Sequence, residues 1–306
     1  MKRRFVIILI LLVLEILLLG KTIKIGFIAT NFAAESQARV ANAFEKLAKE
    51  KNWKVIMLNS QGSIERQANQ LENLVQMGVD AIVMAMGHPR EIKPALDKAF
   101  KAGIPVITID SGYVEGVVAD ITCDNFVMGA KISTYLVDSL GGEGNIVVFK
   151  FEKHFGTRRR GKVLDVVLSE YPGIKVLAEY TVAATKRFME DTRSAMETYA
   201  IRFGDKIDAV WCAFDQLAYA VGDVVQQYNL KNVLITGVDG NEETFRRIKA
   251  GLMTATIAQP FEEMAEKAVE LIEKIVVEKM PIEEAAPRKI IYLDAPLIDK
   301  YNLPNK

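Results

Sequence analysis

Cysteine is scarce in this chain: Cys123 and Cys212 are the only two in 306 residues. Both fall in apolar runs that read as strands of different domains, so the expectation is two free, buried thiols and no disulfide framework. Histidine is equally rare. His88 and His154 are far apart, without a Cys companion, and form no metal-ligand pattern. An excess of one charge is missing too: Lys+Arg and Asp+Glu are both 39, a balance that gives no electrostatic footprint for nucleic acid. There is no G-x-S-x-G elbow and no G-x-x-x-x-G-K-[ST] phosphate loop. "GGEGN" at 141–145 contains a G-x-G, but it precedes a strand where a dinucleotide fingerprint follows one, so it reads as a helix-to-strand turn. These absences argue against a nucleotide cofactor, a metal and the common hydrolase chemistries.

Long hydrophobic runs are confined to the N-terminus, MKRRFVIILILLVLEILLLG. Lys2, Arg3 and Arg4 form a positive n-region, and Phe5 to Leu19 is apolar apart from Glu15. That length suits a secretory h-region and is short for a membrane span. Residues 1–20 are therefore expected to be a signal peptide or N-terminal anchor, and the chain to be periplasmic or otherwise extracytoplasmic. Glu15 is costly in lipid. Leu18 and Gly20 make a poor cleavage site, which leaves an uncleaved leader as an anchor open. No Cys follows the leader to carry a lipid.

From residue 23 onward short β-branched runs alternate with amphipathic helical patterns of about 12 to 17 residues. Strands are expected at 24–29, 54–60, 81–86, 105–110 and 117–123, and again at 145–150, 174–181, 209–214 and 233–239. Val40, Phe44, Leu47 and Ala48 line one face of the first helical stretch, and Gly78 stops the second. Fully apolar strands separated by helices mean parallel sheets covered on both faces. The chain thus reads as α/β, with two doubly wound Rossmann-like lobes of similar plan. "PIEEAAPRK" at 281–289 is the one Pro- and charge-rich connection, followed by a last strand "KIIYLDAP".

Ligands of open parallel sheets bind outside the carboxyl ends of the strands. The residues that end or follow strands are therefore the candidates: Thr30 and Asn31, Asp110 and Ser111, Phe214 and Asp215, Asp239, and Gln259. Asp215 precedes a helical run and has a helix N-cap as its bland reading. Asp110 is followed by "SGYVEG", with no helix to cap, which favours a functional role. The companions are amides, hydroxyls and Arg. That set suits a neutral polyol, whose hydroxyls donate to carboxylates and accept from guanidinium, with aromatic rings covering its C–H faces.

Five segments in order resemble the periplasmic sugar-binding proteins of the ribose-binding type, type I solute-binding proteins of ABC transporters: "IPVITIDSG" (104–112), "TCDNFVMGAKI" (122–132), "AVWCAFDQLAYAVGDVVQ" (209–226), "ITGVDGNEETFRRIKAG" (235–251) and "ATIAQPFEEMAEKAVE" (255–270). The resemblance covers about residues 23–300. It implies a hinge of three crossings, near 124–126, 257–260 and 287–291. The implied lobes are 22–124 plus 260–287, and 125–259 plus 288–306. By match, Asp110 resembles the N-lobe carboxylate, Arg158 the C-lobe arginine, Asp239 the C-lobe carboxylate and Gln259 the hinge amide. Thr30 and Ala34 fall where polar first-loop residues are usual, and Phe214 where ribose binders often carry Asn. Of Arg158, Arg159 and Arg160, one is expected to reach the cleft and two to be solvated.

The departures bear on the ligand. Ribose binders typically carry "NPFF" in the first loop and Arg after the strand-ending Asp. Here the loop is "NFAAESQ" and the residue is Ser111. Phe32, Phe214 and Phe188 are candidates to supply aromatic faces instead. The resemblance implies a monomeric receptor, not an enzyme, that binds a hexose, pentose or inositol-like polyol without a cofactor and docks on a membrane ABC permease. A ligand-sensing subunit feeding a chemoreceptor or sensor kinase is the alternative. A lac-type repressor shares the lobe pair but needs an N-terminal DNA-binding head, for which the reading finds no room before the first strand. A cleft hydrolase or isomerase on the same fold would reveal itself by product formation.

Overall fold

The computed structural model describes residues 22–183 and 187–304. The expected leader lies outside the described residues. In chain order the strands are β1 (Lys24–Ala29), β2 (Lys54–Asn59), β3 (Ala81–Ala85), β4 (Val106–Ile109), β5 (Asp120–Cys123), β6 (Gly144–Lys150), β7 (Ile174–Thr181), β8 (Ala209–Cys212), β9 (Leu234–Asp239), β10 (Ala255–Ala258), β11 (Ile290–Leu293) and β12 (Leu297–Asp299). The helices are α1 (Glu35–Glu50), α2 (Ile64–Gln76), α3 (Lys93–Lys101), α4 (Asn125–Ser139), α5 (Phe155–Ser169), α6 (Phe188–Phe203), α7 (Asp215–Gln227), α8 (Glu242–Lys249), α9 (Phe261–Ile272) and the single turn α10 (Ile282–Ala285).

Strands β3, β4, β5 and β8 are buried along their whole length, because helices cover both faces of each sheet. In the first lobe, α1 lays Val40, Phe44 and Ala48 into one side, against Phe27. Leu71 and Leu74 of α2 pack with Ile28, Ile82 and Met84 on the other. The hydroxyl of Ser63 caps α2 by accepting from the Arg66 amide at 3.1 Å. The helix stops before Gly78, whose φ of 59° suits glycine.

The strand order is β2-β1-β3-β4-β5-β11 in the first sheet and β7-β6-β8-β9-β10-β12 in the second. Both therefore carry the same doubly wound plan, and only β12 runs antiparallel to its neighbour. Each plan has a topological switch point, between β1 and β3 in one lobe and between β6 and β8 in the other.

The chain passes between the two sheets after β5, after β10 and after β11. At the first passage Asp124 caps α4, accepting from the amides of Phe126 and Val127 at 2.9 and 3.3 Å. At the second, Gln259 and Pro260 lead into α9, which packs against α1 of the first lobe. The third differs from the expected 287–291. Residues 290–293 pair in parallel with Asp120–Cys123, so the chain crosses through Asp294–Pro296. The segment read as one strand, "KIIYLDAP", is thus β11 followed by a crossing. Its Pro296 lacks the donor that a continued strand would need.

Both cysteines are free and buried, Cys123 at the end of the first lobe's β5 and Cys212 at the end of the second lobe's β8. Burial pushes the Cys123 thiol up to about 12.

Candidate functional site

The carboxyl ends of both sheets converge on one cavity of about 590 Å³ between the lobes. Thr30, Asn31 and Met86 reach it from the first lobe's switch point, and Phe151 and Phe214 from the second's. Strands β4 and β8 end earlier than their sequence runs suggest, at Ile109 and Cys212. Asp110 and Phe214 consequently sit in loops, with their side chains released from the sheet.

One carboxylate comes from each lobe. Asp110 is 2% exposed, and its Oδ1 accepts from the Thr122 hydroxyl at 2.8 Å and from Asn125 Nδ2 at 3.3 Å. Asp239 is 4% exposed and accepts from Gln259 Nε2 at 3.1 Å. Burial raises its carboxyl well above the usual range and the nearby Asp215 charge adds to this; Arg160, Arg39 and the Gln259 amide oppose it. The other Gln259 atom, Oε1, is buried without a hydrogen-bond partner and is available to a ligand. Three of the non-glycine residues with positive φ stand at these strand ends, Met86, Asp110 and Asp239, at 49°, 44° and 150°; others, such as Asn52 and Asn229, lie in turns elsewhere. Such conformations cost about 1–3 kcal/mol each in non-glycine residues and concentrate at functional sites.

The second lobe supplies the donors and the apolar wall. Arg160 is 2% exposed, held by Asn125 Oδ1 at 2.9 Å and the Ala213 carbonyl at 2.8 Å. Arg158 donates to the Glu152 carbonyl at 2.8 Å. Phe151 meets Phe214 edge to face at 5.6 Å between centroids, and Phe188 lies 5.8 Å from Phe214. Three rings thus form a platform beside the carboxylates, the arrangement that covers the C–H face of a sugar ring while polar groups bind its hydroxyls.

Several contacts tie the lobes together around this cavity, among them the Asn125–Asp110 bond. His154 caps α5, its Nδ1 accepting from the Gly156 amide at 3.3 Å, while Nε2 lies 2.8 Å from the Asp110 carbonyl. With Nδ1 an acceptor, Nε2 carries the proton and the ring is neutral, in keeping with burial lowering its pKa. Arg39 donates to the carbonyls of Asp239 and Gly240, both at 3.2 Å, and to Asn241 Oδ1 at 3.0 Å. At the mouth, the Glu35 amide donates to Gln216 Oε1 at 2.9 Å. The lobes are therefore closed on each other.

Of the residues singled out in the sequence, Thr30, Asn31, Asp110, Arg158, Phe214, Asp239 and Gln259 line the cavity, as do Ala34 and Phe188. Three do not. Asp215 is wholly buried beneath it: Oδ2 accepts from the Gly240 amide at 2.8 Å, the Asn241 amide at 3.3 Å and the Thr244 hydroxyl at 2.6 Å, and Oδ1 from the Thr256 hydroxyl at 2.8 Å. Its oxygens fix the loop after β9, which carries Asp239. Ser111 turns away, accepting from the Gly87 amide at 2.8 Å and facing the Ile109 carbonyl at 2.9 Å. Phe32 packs against the core. Two of the three consecutive arginines reach the cavity rather than one; Arg159 instead sits over the rings of Phe126 and Phe155. Phe151 and Gln37 are the main residues the sequence reading passed over, while Arg160 was weighed only as one of three arginines of which one would reach the cleft. The strand-end rule that selects Thr30 selects Phe151 equally, because β6 ends at Lys150. Gln37 lies inside a helix and carries no local signal. Among the described residues, no group of three or more His, Cys, Asp or Glu is placed to hold a metal.

A family model described as a periplasmic binding protein domain matches residues 25–280. The xylitol-binding protein of Mycolicibacterium smegmatis is 29% identical over 214 residues, which is 69% of this chain and 60% of that relative, so the match spans less than two thirds of its length. The ribose import binding protein of Bacillus subtilis is 26% identical over 234 residues, 76% of this chain and 74% of the relative. Among solved structures, an ABC transporter solute binding protein from Agrobacterium vitis with bound allitol aligns with a TM-score of 0.81 at 24% identity, covering 92% of this chain and 96% of that one. At that identity the likeness speaks for the fold. The matched model runs through both lobes and through the second crossing, and on that footing the chain belongs to the periplasmic binding protein family, as an extracytoplasmic solute-binding protein rather than an enzyme.

Proposed function

We propose that this protein is the solute-binding subunit of an ABC importer. It captures a monosaccharide or cyclic polyol between its lobes and delivers it to a membrane permease. The observation that carries this reading is the pairing of Asp110 and Asp239, one carboxylate per lobe, beside the Phe151–Phe188–Phe214 platform. Hydroxyls donate to the carboxylates and to Gln259 Oε1, and accept from Arg158 and Arg160. A ligand gripped from both lobes stabilises the closed state and shifts the population toward it. Relatives named for xylitol and ribose, and an allitol-bound structure of the same fold, support a polyhydroxylated solute.

The ligand we propose is a hexose, a pyranose pentose or a cyclic polyol such as inositol. The residue after Asp110 is Ser111, tied back to the Gly87 loop, so no guanidinium crowds Asp110 from that side and a larger ring has room. The receptor acts as a monomer, and any anchoring comes from its leader. A thermal-shift screen tests the reading, since a ligand that binds only the folded state raises the melting temperature by mass action. One clear hit among pentoses, hexoses and inositols, lost in Asp110→Ala and Asp239→Ala, is expected. A ribose affinity much tighter than that for any larger ring would sink the ligand choice, and silence across all neutral sugars would sink the function.

A further inference from the structure

A second interlobe groove, of about 510 Å³, adjoins the cavity and shares His88, Glu91, Lys153 and Arg158 with it. Its character is different. Arg90 faces it from the first lobe, and Lys153, Arg158, Arg159 and Lys162 from the second. Among the described residues, none of these five has a carboxylate oxygen within the 4.0 Å of an ion pair. Some buried or half-buried cations elsewhere are paired, Lys150 with Asp165 and Glu179 and Arg247 with Asp223 and Glu243; what sets this groove apart is that five cations from two lobes line one space.

Two acids face the groove, and neither neutralises it. The Asp120 carboxylate is already engaged by the Thr108 hydroxyl at 2.7 Å and by the amides of Ser111 and Gly112 at 3.2 and 3.1 Å. Burial also raises it to about 6, so part of its charge is lost near neutrality. Glu91 is one charge against five.

The cations come from both lobes, so closure brings like charges together across the gap. Arg90, Lys153 and Lys162 are exposed, so the repulsion is screened and modest, but an anion between the two sets of cations would favour closure. Arg159 is held for such a role. Its guanidinium sits 5.1 and 4.9 Å from the ring centres of Phe126 and Phe155, and among the described residues none of its N–H groups has an acceptor. A stacked guanidinium presents its donor edge in the geometry that matches an oxyanion.

We propose that this groove binds a phosphate group, clamped between Arg90 of one lobe and Arg159 and Lys162 of the other. The phosphate is either a free anion that favours closure or a phosphoryl substituent on a polyol seated in the adjoining cavity. Only the second source rests on the sugar reading.

The test is a set of titrations of the full chain, followed by melting temperature and calorimetry. The titrants are inorganic phosphate, sodium chloride at matched ionic strength, myo-inositol, and myo-inositol monophosphate. Phosphate is expected to bind saturably where chloride does not, and the Arg159→Gln/Lys162→Gln double variant to weaken it at least tenfold. Neither residue lines the main cavity, so any neutral polyol that binds is expected to bind the variant unchanged, which also reports a native fold. Should the double variant fail to fold, Arg90→Gln makes the same test from the opposite lobe. If the monophosphate binds at least tenfold tighter than phosphate and inositol separately, the anion is a substituent; if it binds no tighter than phosphate, the anion is a free effector. Two results overturn the proposal: phosphate and the monophosphate bind no better than chloride and inositol, or phosphate binds the variants as well as the natural protein. Saturable phosphate binding with no response to any neutral polyol would remove the sugar reading and leave the groove standing.

Discussion

Gln216 offers a direct test of closure, because it touches the opposite lobe and not the cavity. Its Oε1 accepts from the Glu35 amide at 2.9 Å, and its Nε2 lies 3.4 Å from the Ala33 carbonyl. Opening the mouth breaks the first bond and the weaker second one. A net hydrogen bond of this kind contributes about 0.5–1.5 kcal/mol. In a receptor that is mostly open when empty, Gln216→Ala then weakens binding by the same free energy, about two- to twelvefold in Kd. The loss should appear in the dissociation rate, since the contact exists only after closure. Isothermal titration with the ligand found in the thermal-shift screen gives Kd, stopped-flow fluorescence gives the rates, and small-angle scattering gives the compaction on binding. The melting temperature of the empty protein should barely move, because the side chain lies at the rim of the mouth. An unchanged Kd with unchanged compaction would refute the claim that these mouth contacts belong to the binding equilibrium. A large fall in melting temperature would instead show that Gln216 supports the fold.

Three further outcomes follow from the site and the core. Asp239→Ala and Asp110→Ala should each weaken ligand binding about five- to a hundredfold, the cost of leaving buried hydrogen-bonding groups without a partner, with calorimetry as the check. For Asp120 the folded-state carboxyl is raised from 3.8 to about 6, so the folded chain holds a proton that the unfolded chain releases. Its contribution to stability is therefore fully present at low pH and is lost as pH rises through about 4 to 6; relative to Asp120→Asn, the natural protein should lose about 2 kcal/mol between about pH 4 and pH 7 in denaturant titrations. Parallel pH profiles for the two proteins would refute this. Cys123 and Cys212 are buried with raised thiol pKa values, and neither should react with a thiol-specific chromogenic reagent until denaturant is added.

What the sequence displayed and what it concealed separate along a physical line. Alternating apolar runs and amphipathic helices specify parallel sheets, and parallel sheets specify which strand ends meet a ligand. That rule places Asp110, Asp239 and Gln259 at strand ends, and the fold brings all three to the wall of the interlobe cavity. Asp215 satisfies the same rule and is yet a structural hub. Its four donors come from Gly240, Asn241, Thr244 and Thr256, 25 to 41 residues onward, and no local pattern announces that they fold back onto it. Arg160 is the converse case. In sequence it is one of three basic residues on a helix. In the fold it is buried because Asn125, 35 residues earlier, turns its Oδ1 toward it while offering Nδ2 to Asp110.

The chain Asp110–Asn125–Arg160–Ala213 runs from one lobe to the other beside the first crossing. It gives the hinge a mechanical meaning that neither composition nor periodicity contains. Asn125 stands at the first turn of α4, directly after the cap residue Asp124, so rotation about this crossing moves Asn125 with the second lobe. Its 3.3 Å bond to Asp110 is then stretched, while its 2.9 Å bond to Arg160 within the second lobe is kept. An opened receptor would thus retain Arg160 in place and leave Asp110 Oδ1 held by the Thr122 hydroxyl of its own lobe alone. Closure on a ligand re-forms the link. The same side chain that orients the guanidinium therefore also makes the Asp110 carboxylate sensitive to the angle between the lobes. That coupling depends on residues 110, 125, 160 and 213 meeting at the crossing, which only the folded chain brings about.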